Sequence, residues 1–311
     1  MTEWQSLYDQ GYQAASQGSI EVAEEFLRKA IEEATVENQL VELTKSLNAL
    51  GVVYQNIGRI EEAQELFERA IELRVDDGEL GNSFSGLAQV HVLFDEAEKA
   101  VEFFGYAIEV FEINDQALDI LDVENNLIGI IPDLTELVEV EDLSDEDREE
   151  FREARKNARS ILGIEKGLSA DSIVLSIDNY IDRVQDQILE DPDLMDIQTL
   201  EAYDLAILWG HQLIKQFGWQ WKYVSVDGVG EILAVTNEDR SMVVYPVNFI
   251  YECMQDPELD CTVMLAFNML QEEKNPDLNP EEYENIMEMV FRVTPKEGKT
   301  RSMAALRLPQ M

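Results

Sequence analysis

The 311-residue sequence predicts a chain in two parts, of class α + (α+β). An α-helical solenoid of stacked helix pairs comes first, then a small α+β domain with a three-stranded antiparallel sheet. Two observations carry this. Between residues 3 and 113, small and large apolar residues recur at helical intervals in three successive copies, each marking one helical face. Between residues 219 and 246 the alternation falls to a period of two, the spacing of strands.

The clearest copy runs from Leu47 to Leu73. Gly51 and Ala63 are small where two helices approach closely, Tyr54 and Phe67 are large where the gap must be filled, and Gly58 permits the turn between them. Ala63, Phe67 and Ala70 share one face. Forty residues earlier the same places hold Gly11, Gly18, Ala23, Leu27 and Ala30. Thirty-seven residues later they hold Ala88, Asp95, Ala100, Phe104 and Ala107, with His91 in the tyrosine place. Three helix pairs follow: Trp4–Gln17 with Ile20–Ala34, Val41–Ile57 with Ile60–Leu73, and Leu80–Phe94 with Glu96–Phe111. Such pairs stack because each leaves an apolar face that a neighbour must cover.

Residues 114–166 are expected to be a degenerate repeat, interrupted at Pro132, followed by a capping helix. That helix has Ser144 as N-cap, an acidic start and a basic finish suited to its macrodipole. Gly163 and Gly167 bracket the expected boundary, and residues 167–295 form the α+β domain. Ile173, Ile177, Ile181, Val184 and Ile188 trace one helix, and a second runs from about Thr199 to Phe217 with Gly218 as its C-cap. Trp219–Val226 alternates, Asp227-Gly228 turns the chain, and EILAVT and SMVVYP supply two more strands. VNFIYECM, CTVMLAFNMLQEE and PEEYENIMEMVF read as helices, the last with Pro280 near its first turn. Residues 296–311 form a basic, flexible tail.

The triplicated Leu-Gly, Tyr, Gly, Ala, Phe, Ala pattern resembles the tetratricopeptide repeat. Spacings of 40 and 37 exceed its usual ~34 and resemble the longer variant of kinesin light chains. That resemblance implies a concave groove lined by the first helix of each pair, where a peptide or partner protein is held. Carried over residue by residue, the groove takes Gln5, Tyr8 and Tyr12 from the first copy. Lys45, Asn48, Val52 and Asn56 come from the second, and Asn82, Ser85 and Gln89 from the third. Asn48 matches the Leu-Asn-x-Leu pattern of the long variant, whose asparagines bind the backbone of an extended peptide. None of the ten is acidic. The segment Glu201–Met254, with Gly218-Trp219-Gln220-Trp221 leading into the first strand, resembles a small bacterial domain of unknown function. That resemblance implies a fold and no activity.

Charge narrows the partners. Acidic residues number 65 against 23 basic, a net −42 spread over both halves. The field repels nucleic acids and anionic membranes and attracts basic proteins. The charges either clothe solvated helix faces, as in a salt-adapted organism, or select a basic partner. Two cysteines, Cys253 and Cys261, fit a reducing cytoplasm, and neither a secretory leader nor a membrane span is visible.

No cofactor, metal or catalytic set is expected. His91 sits in a core position of the repeat, and His211 follows Gly210 in an amphipathic helix, where packing competes with a role as a base. Neither cysteine has a histidine at a diagnostic spacing. Gly228-x-Gly230 reads as a turn, the acidic EDPD turn at 190–193 lacks the length of a calcium loop, and Trp219 with Trp221 reads as a packing anchor. The expected function is a non-enzymatic cytoplasmic adaptor that binds a peptide or partner protein in the repeat groove. An acidic immunity-type protein that neutralises a basic toxin is the alternative, and a hydrolase housed in the C-terminal domain is the weaker one.

Overall fold

The computed structural model describes residues 2–75, 78–191, 201–272 and 278–290, together with 292, 294 and 296. The chain divides into two compact units, Met1–Leu134 and Thr135–Met311. The first is helical: α1 (Glu3–Ser16), α2 (Ile20–Val36), α3 (Leu40–Asn56), α4 (Ile60–Glu72), α5 (Gly78–Leu93), α6 (Ala97–Ile113) and α7 (Ala117–Ile130). The first six are the three expected pairs.

One device ends five of these helices. The N–H groups of Ser19, Gln39, Arg59, Glu96 and Gln116 donate to the carbonyls of Ala14, Ala34, Tyr54, His91 and Phe111, five residues back, at 2.8–2.9 Å. The residue before each donor has positive φ: Gly18, Asn38, Gly58, Asp95 and Asp115. This is the Schellman closure, which needs a left-handed residue and accepts asparagine or aspartate when glycine is absent. Asp95 therefore fills the glycine's place without changing the turn.

Packing repeats as the turns do. Ala23, Leu27 and Ala30, Ala63, Phe67 and Ala70, and Ala100, Phe104 and Ala107 are all fully buried. Opposite them stand glycines with no room to spare. A Cβ on Gly11 would lie 2.7 Å from Leu27 Cγ, and one on Gly51 2.7 Å from Phe67 Cζ. Polar ties lock the pairs in register: Trp4 Nε1 donates to Ser46 Oγ at 2.8 Å. The Tyr54 hydroxyl donates to Glu24 at 2.5 Å while accepting from Arg28, and the Arg59 guanidinium lies 3.8 Å above its ring.

The second unit is an α+β module, and its sheet is larger than expected. Five strands run in the order β1 (Val138–Asp142), β2 (Gln220–Val226), β3 (Val229–Thr236), β4 (Met242–Val244) and β5 (Glu284–Asn285). The β2–β4 meander is the expected antiparallel part. β1 pairs antiparallel with β2, Val138 opposite Val226 and Asp142 opposite Lys222, and β5 joins β4 in parallel. This corrects two readings. The acidic run before Ser144 is an edge strand and not only a helix entry, so the boundary between units falls at Leu134/Thr135 and not near Gly163. PEEYENIMEMVF is not one helix, because its middle supplies β5 and only Ile286–Met289 is helical, with Glu281 and Tyr283 at positive φ.

Helices α8 (Asp145–Leu162), α9 (Ala170–Glu190), α10 (Ala202–Phe217), α11 (Pro246–Gln255) and α12 (Val263–Gln271) complete this unit, with the short α13 (Ile286–Met289). Ser144 and Asp147 cap α8 reciprocally, and α8 packs on α10. The indole of Trp221 lies where a side chain on Gly210 would have to be. The Gln185 amide, fully buried, donates to the carbonyls of Cys253 and Leu259 at 2.6 and 2.9 Å. Cys253 and Cys261 are buried and are not joined in a disulfide. Arg292 pairs with Asp260, and Lys296, the first residue of the expected tail, with Asp182; residues 297–311 lie outside the described residues. So do residues 192–200, which hold the end of the EDPD turn and the expected start of the next helix. Among the described residues no helix is long and apolar enough to cross a membrane.

Ala63→Leu would force three extra carbons between α3 and α4, where Ala63 is fully buried. The substitution should cost about 1–3 kcal/mol, read as a lower urea midpoint; an unchanged midpoint would contradict the packing described.

Candidate functional site

The inner helices of the first unit, α1, α3, α5 and α7, line a cavity of about 530 Å³. Leu27 and Phe67, the large members of the first two copies of the packing pattern, form its apolar floor together with Phe111. Its walls are amides, hydroxyls, two tyrosines and carboxylates.

Nine of the ten groove residues read from the sequence line this cavity: Tyr8, Tyr12, Lys45, Asn48, Val52, Asn56, Asn82, Ser85 and Gln89. Gln5 does not, and its amide donates to Asp9 instead. Within the cavity their situations differ. Tyr12 is 65% exposed and Val52 47%, so both offer apolar area to a ligand. Tyr8 stacks between Trp4 and Tyr12, with centroids 5.3 and 6.4 Å away, and lies under Lys45 Nζ at 5.5 Å. Burial, then the negative charge of Glu79, pushes the Tyr8 hydroxyl up to about 12, so it stays a donor at neutral pH.

Asn48 departs from its expected role. It is only 6% exposed, its amide nitrogen donates to the Glu79 carbonyl at 2.9 Å, and its oxygen accepts from Ser83 Oγ at 2.8 Å. Both ends of the amide join α3 to α5, so Asn48 positions the groove wall. Asn82 donates to Glu79 at 3.3 Å. For Asn56 and Gln89 there is no hydrogen bond from the side chain to any described residue, which leaves two amides able to pair with a peptide. His91 is core: its ring stacks on Phe103 at 5.2 Å and 2°, and Nδ1 lies 2.7 Å from Glu96.

The fourth wall is the helix of the expected degenerate repeat. α7 brings Asp119, Asp122, Val123 and Asn126 to the cavity, and α5 adds Glu79, so the groove carries carboxylates that the ten residues lack. Glu79 has Lys45 Nζ at 3.9 Å. Asp119 accepts from Gln116 at 3.0 Å. Neither Asp119 nor Asp122 meets a basic side chain among the described residues. Asp122 is open to the groove, yet the protein around it and Asp119 beside it raise its carboxyl to about 6.

Comparison with known proteins follows the division of the chain. Residues 42–113 match the tetratricopeptide repeat, and residues 179–267 match a domain of unknown function, DUF3806. Among solved structures, nearly identical TPR-like repeats of a kinesin light chain type from Podosopora anserina align over 68% of this chain and 96% of that one, at 16% identity and a TM-score of 0.37. BtubC (BKLC) from P. vanneervenii aligns over 54% of this chain at 18% identity and a TM-score of 0.35. The alignment spans 66% of BtubC, just under two thirds of its length. No curated protein matches the chain. Repeats of this kind are scaffolds for protein–protein interaction, and that is the coarse role of the N-terminal unit.

The pH dependence of stability has a definite sign at Asp122. Its folded value, about 6, lies above the ~3.9 of an unfolded chain, so the folded state holds the proton more tightly between these values. Its contribution to stability is full below about 4 and lost as pH rises through about 6. Asp122→Asn should therefore melt at a higher temperature than wild type at pH 7.5, with the gap closing near pH 4; a gap independent of pH would contradict the raised carboxyl.

Proposed function

We propose that the repeat groove captures an extended segment of a partner protein and receives one of its basic side chains between Asp119 and Asp122. The observation that supports this is a pair of neighbouring carboxylates turned to a 530 Å³ cavity with no cation beside them among the described residues. Two like charges in one concavity raise each other's energy, and a guanidinium or ammonium group relieves both. Asn56 and Gln89 are placed to pair with the backbone of the segment, since an amide both donates and accepts. Tyr12 and Val52 offer exposed apolar area with few rotors to freeze.

The C-terminal module is then a companion domain on an interaction scaffold. An acidic protein that neutralises a basic toxin would also choose a basic partner, but through its whole −42 surface, where two carboxylates matter little.

An immobilised library of short random peptides, probed with the full-length chain, separates the two. Retained peptides should be enriched in Lys and Arg, and Asp119→Asn with Asp122→Asn should abolish that enrichment. Asn56→Ala with Gln89→Ala should weaken all retained peptides alike, by about 0.5–1.5 kcal/mol per lost hydrogen bond. Enrichment that survives the double aspartate variant would place recognition on the general surface charge and contradict the groove.

A further inference from the structure

The second unit holds a concentration of positive charge that the repeat groove does not use. In α8 the run DREEFREARKNARS sets Arg148, Arg152, Arg155 and Arg159 at intervals of four, three and four, on one helical face. Four of the 23 basic residues of a strongly acidic chain thus share a single stripe.

Three of them, Arg148, Arg152 and Arg155, line a cavity of about 410 Å³ together with His211 and Trp221. Phe151, Ile207 and Ile214 supply apolar wall, and Asp142 and Gln220 add polar groups. Arg155 is half-buried, and its Nη1 donates to His211 Nδ1 at 2.8 Å. A guanidinium only donates, so Nδ1 must be the unprotonated nitrogen and Nε2 carries the hydrogen. Burial, with Arg155, Lys215 and Arg159 nearby, holds His211 down to about 4, which keeps it neutral and able to donate from Nε2.

The charge balance is unusual for a partly enclosed site. No described carboxylate bonds Arg155, and burial together with Arg152 and Arg159 depresses its own pKa. Arg159 has a wholly enclosed Nη1 without a hydrogen-bond partner. Arg152 pairs with Glu149 at the exposed rim, and Arg148 reaches the Leu143 carbonyl at 3.2 Å. Asp142, the one carboxylate on the cavity wall among the described residues, is paired with Lys222. A guanidinium taken partly out of water beside two others is costly unless an anion meets it.

We propose that this pocket binds a small organic anion, its carboxylate or phosphate group on Arg155 and its neighbours and its apolar body against Trp221 and Ile207. The volume suits a small molecule. The planar fork of arginine matches the two oxygens of a carboxylate or phosphate, and the Trp221 face accepts a flat apolar body. Gly210 makes the pocket possible, since any side chain there would displace the indole from its seat on α10.

Isothermal titration of the full-length chain with four probes tests this: benzoate, phenyl phosphate, benzyl alcohol and inorganic phosphate. One or both of the first two should bind saturably, roughly tenfold or more tighter than either of the last two. Which of them binds distinguishes a carboxylate site from a phosphate site. Arg155→Gln, with circular dichroism confirming the fold, should weaken that binding roughly tenfold or more. If that variant fails to fold, Arg148→Gln at the exposed rim and the probe series on wild type decide the matter. Three results would overturn the proposal: no saturable binding of either aromatic anion, benzyl alcohol binding as tightly as benzoate and phenyl phosphate, or full binding by folded Arg155→Gln.

Discussion

The first unit depends on the seat of one ring. Phe67, projecting from α4, is fully enclosed because two glycines make room for it. Gly51 on α3 and Gly86 on α5 each leave open the space that a Cβ would fill, and a Cβ on either would collide with the ring. Two inner helices can thus close over an outer one, and the ring becomes floor for the cavity above. The same device recurs at Leu27 beneath Gly11 and at Phe111 beneath Gly81. Burying such a side chain is worth about 1.5–3 kcal/mol, so three seats are a sizeable part of a net stability of ~5–15 kcal/mol. The groove is therefore a product of the core. Its depth is set by which residues lack a side chain, and its chemistry by the residues beside them.

Much of this was legible because the repeat states it three times. Glycine, alanine and large apolar residues at fixed intervals identify the buried face, and nine of the ten residues carried over from the tetratricopeptide resemblance line the cavity. Two things were hidden. Asn48 sits in sequence where a ligand-facing amide would sit, but its partner Ser83 lies 35 residues away, and local spacing cannot reveal a bond of that reach. α7 lies in the expected degenerate repeat, lacks the tyrosine of the clearest copy, and was expected to be interrupted at Pro132. The helix in fact ends at Ile130 and the proline opens a separate 3-10 turn, Ile131–Asp133, where its missing N–H costs nothing. Asp119 and Asp122 came to the groove by that route.

In the second unit the meander was legible from its period of two, and its edges were not. VEVED is an alternating pentapeptide, but its polar positions are all acidic, and it lies immediately before a strong N-cap. It becomes β1 because Val138 and Val140 find Val226 and Val224 about eighty residues later. Similarly, the basic end of α8 looked like a complement to the helix dipole. Only the fold brings Arg155 to His211 and Trp221, from two other elements, and turns a run of arginines into a cationic pocket. Strand edges and charge clusters share this property: both are made by partners distant in sequence, and local pattern does not reach them.

The central claim is that the groove exists because Phe67 is seated in two glycine notches. A double-mutant cycle of Gly86→Ala and Phe67→Leu, measured by urea unfolding, tests it most directly. Gly86→Ala alone should be strongly destabilising, since the new methyl meets the ring. In the Phe67→Leu background, where the ring is gone, the same change should cost much less, giving a coupling of about 0.5–3 kcal/mol. Additive effects of the two substitutions would mean that the glycine does not serve the ring, and would contradict the account.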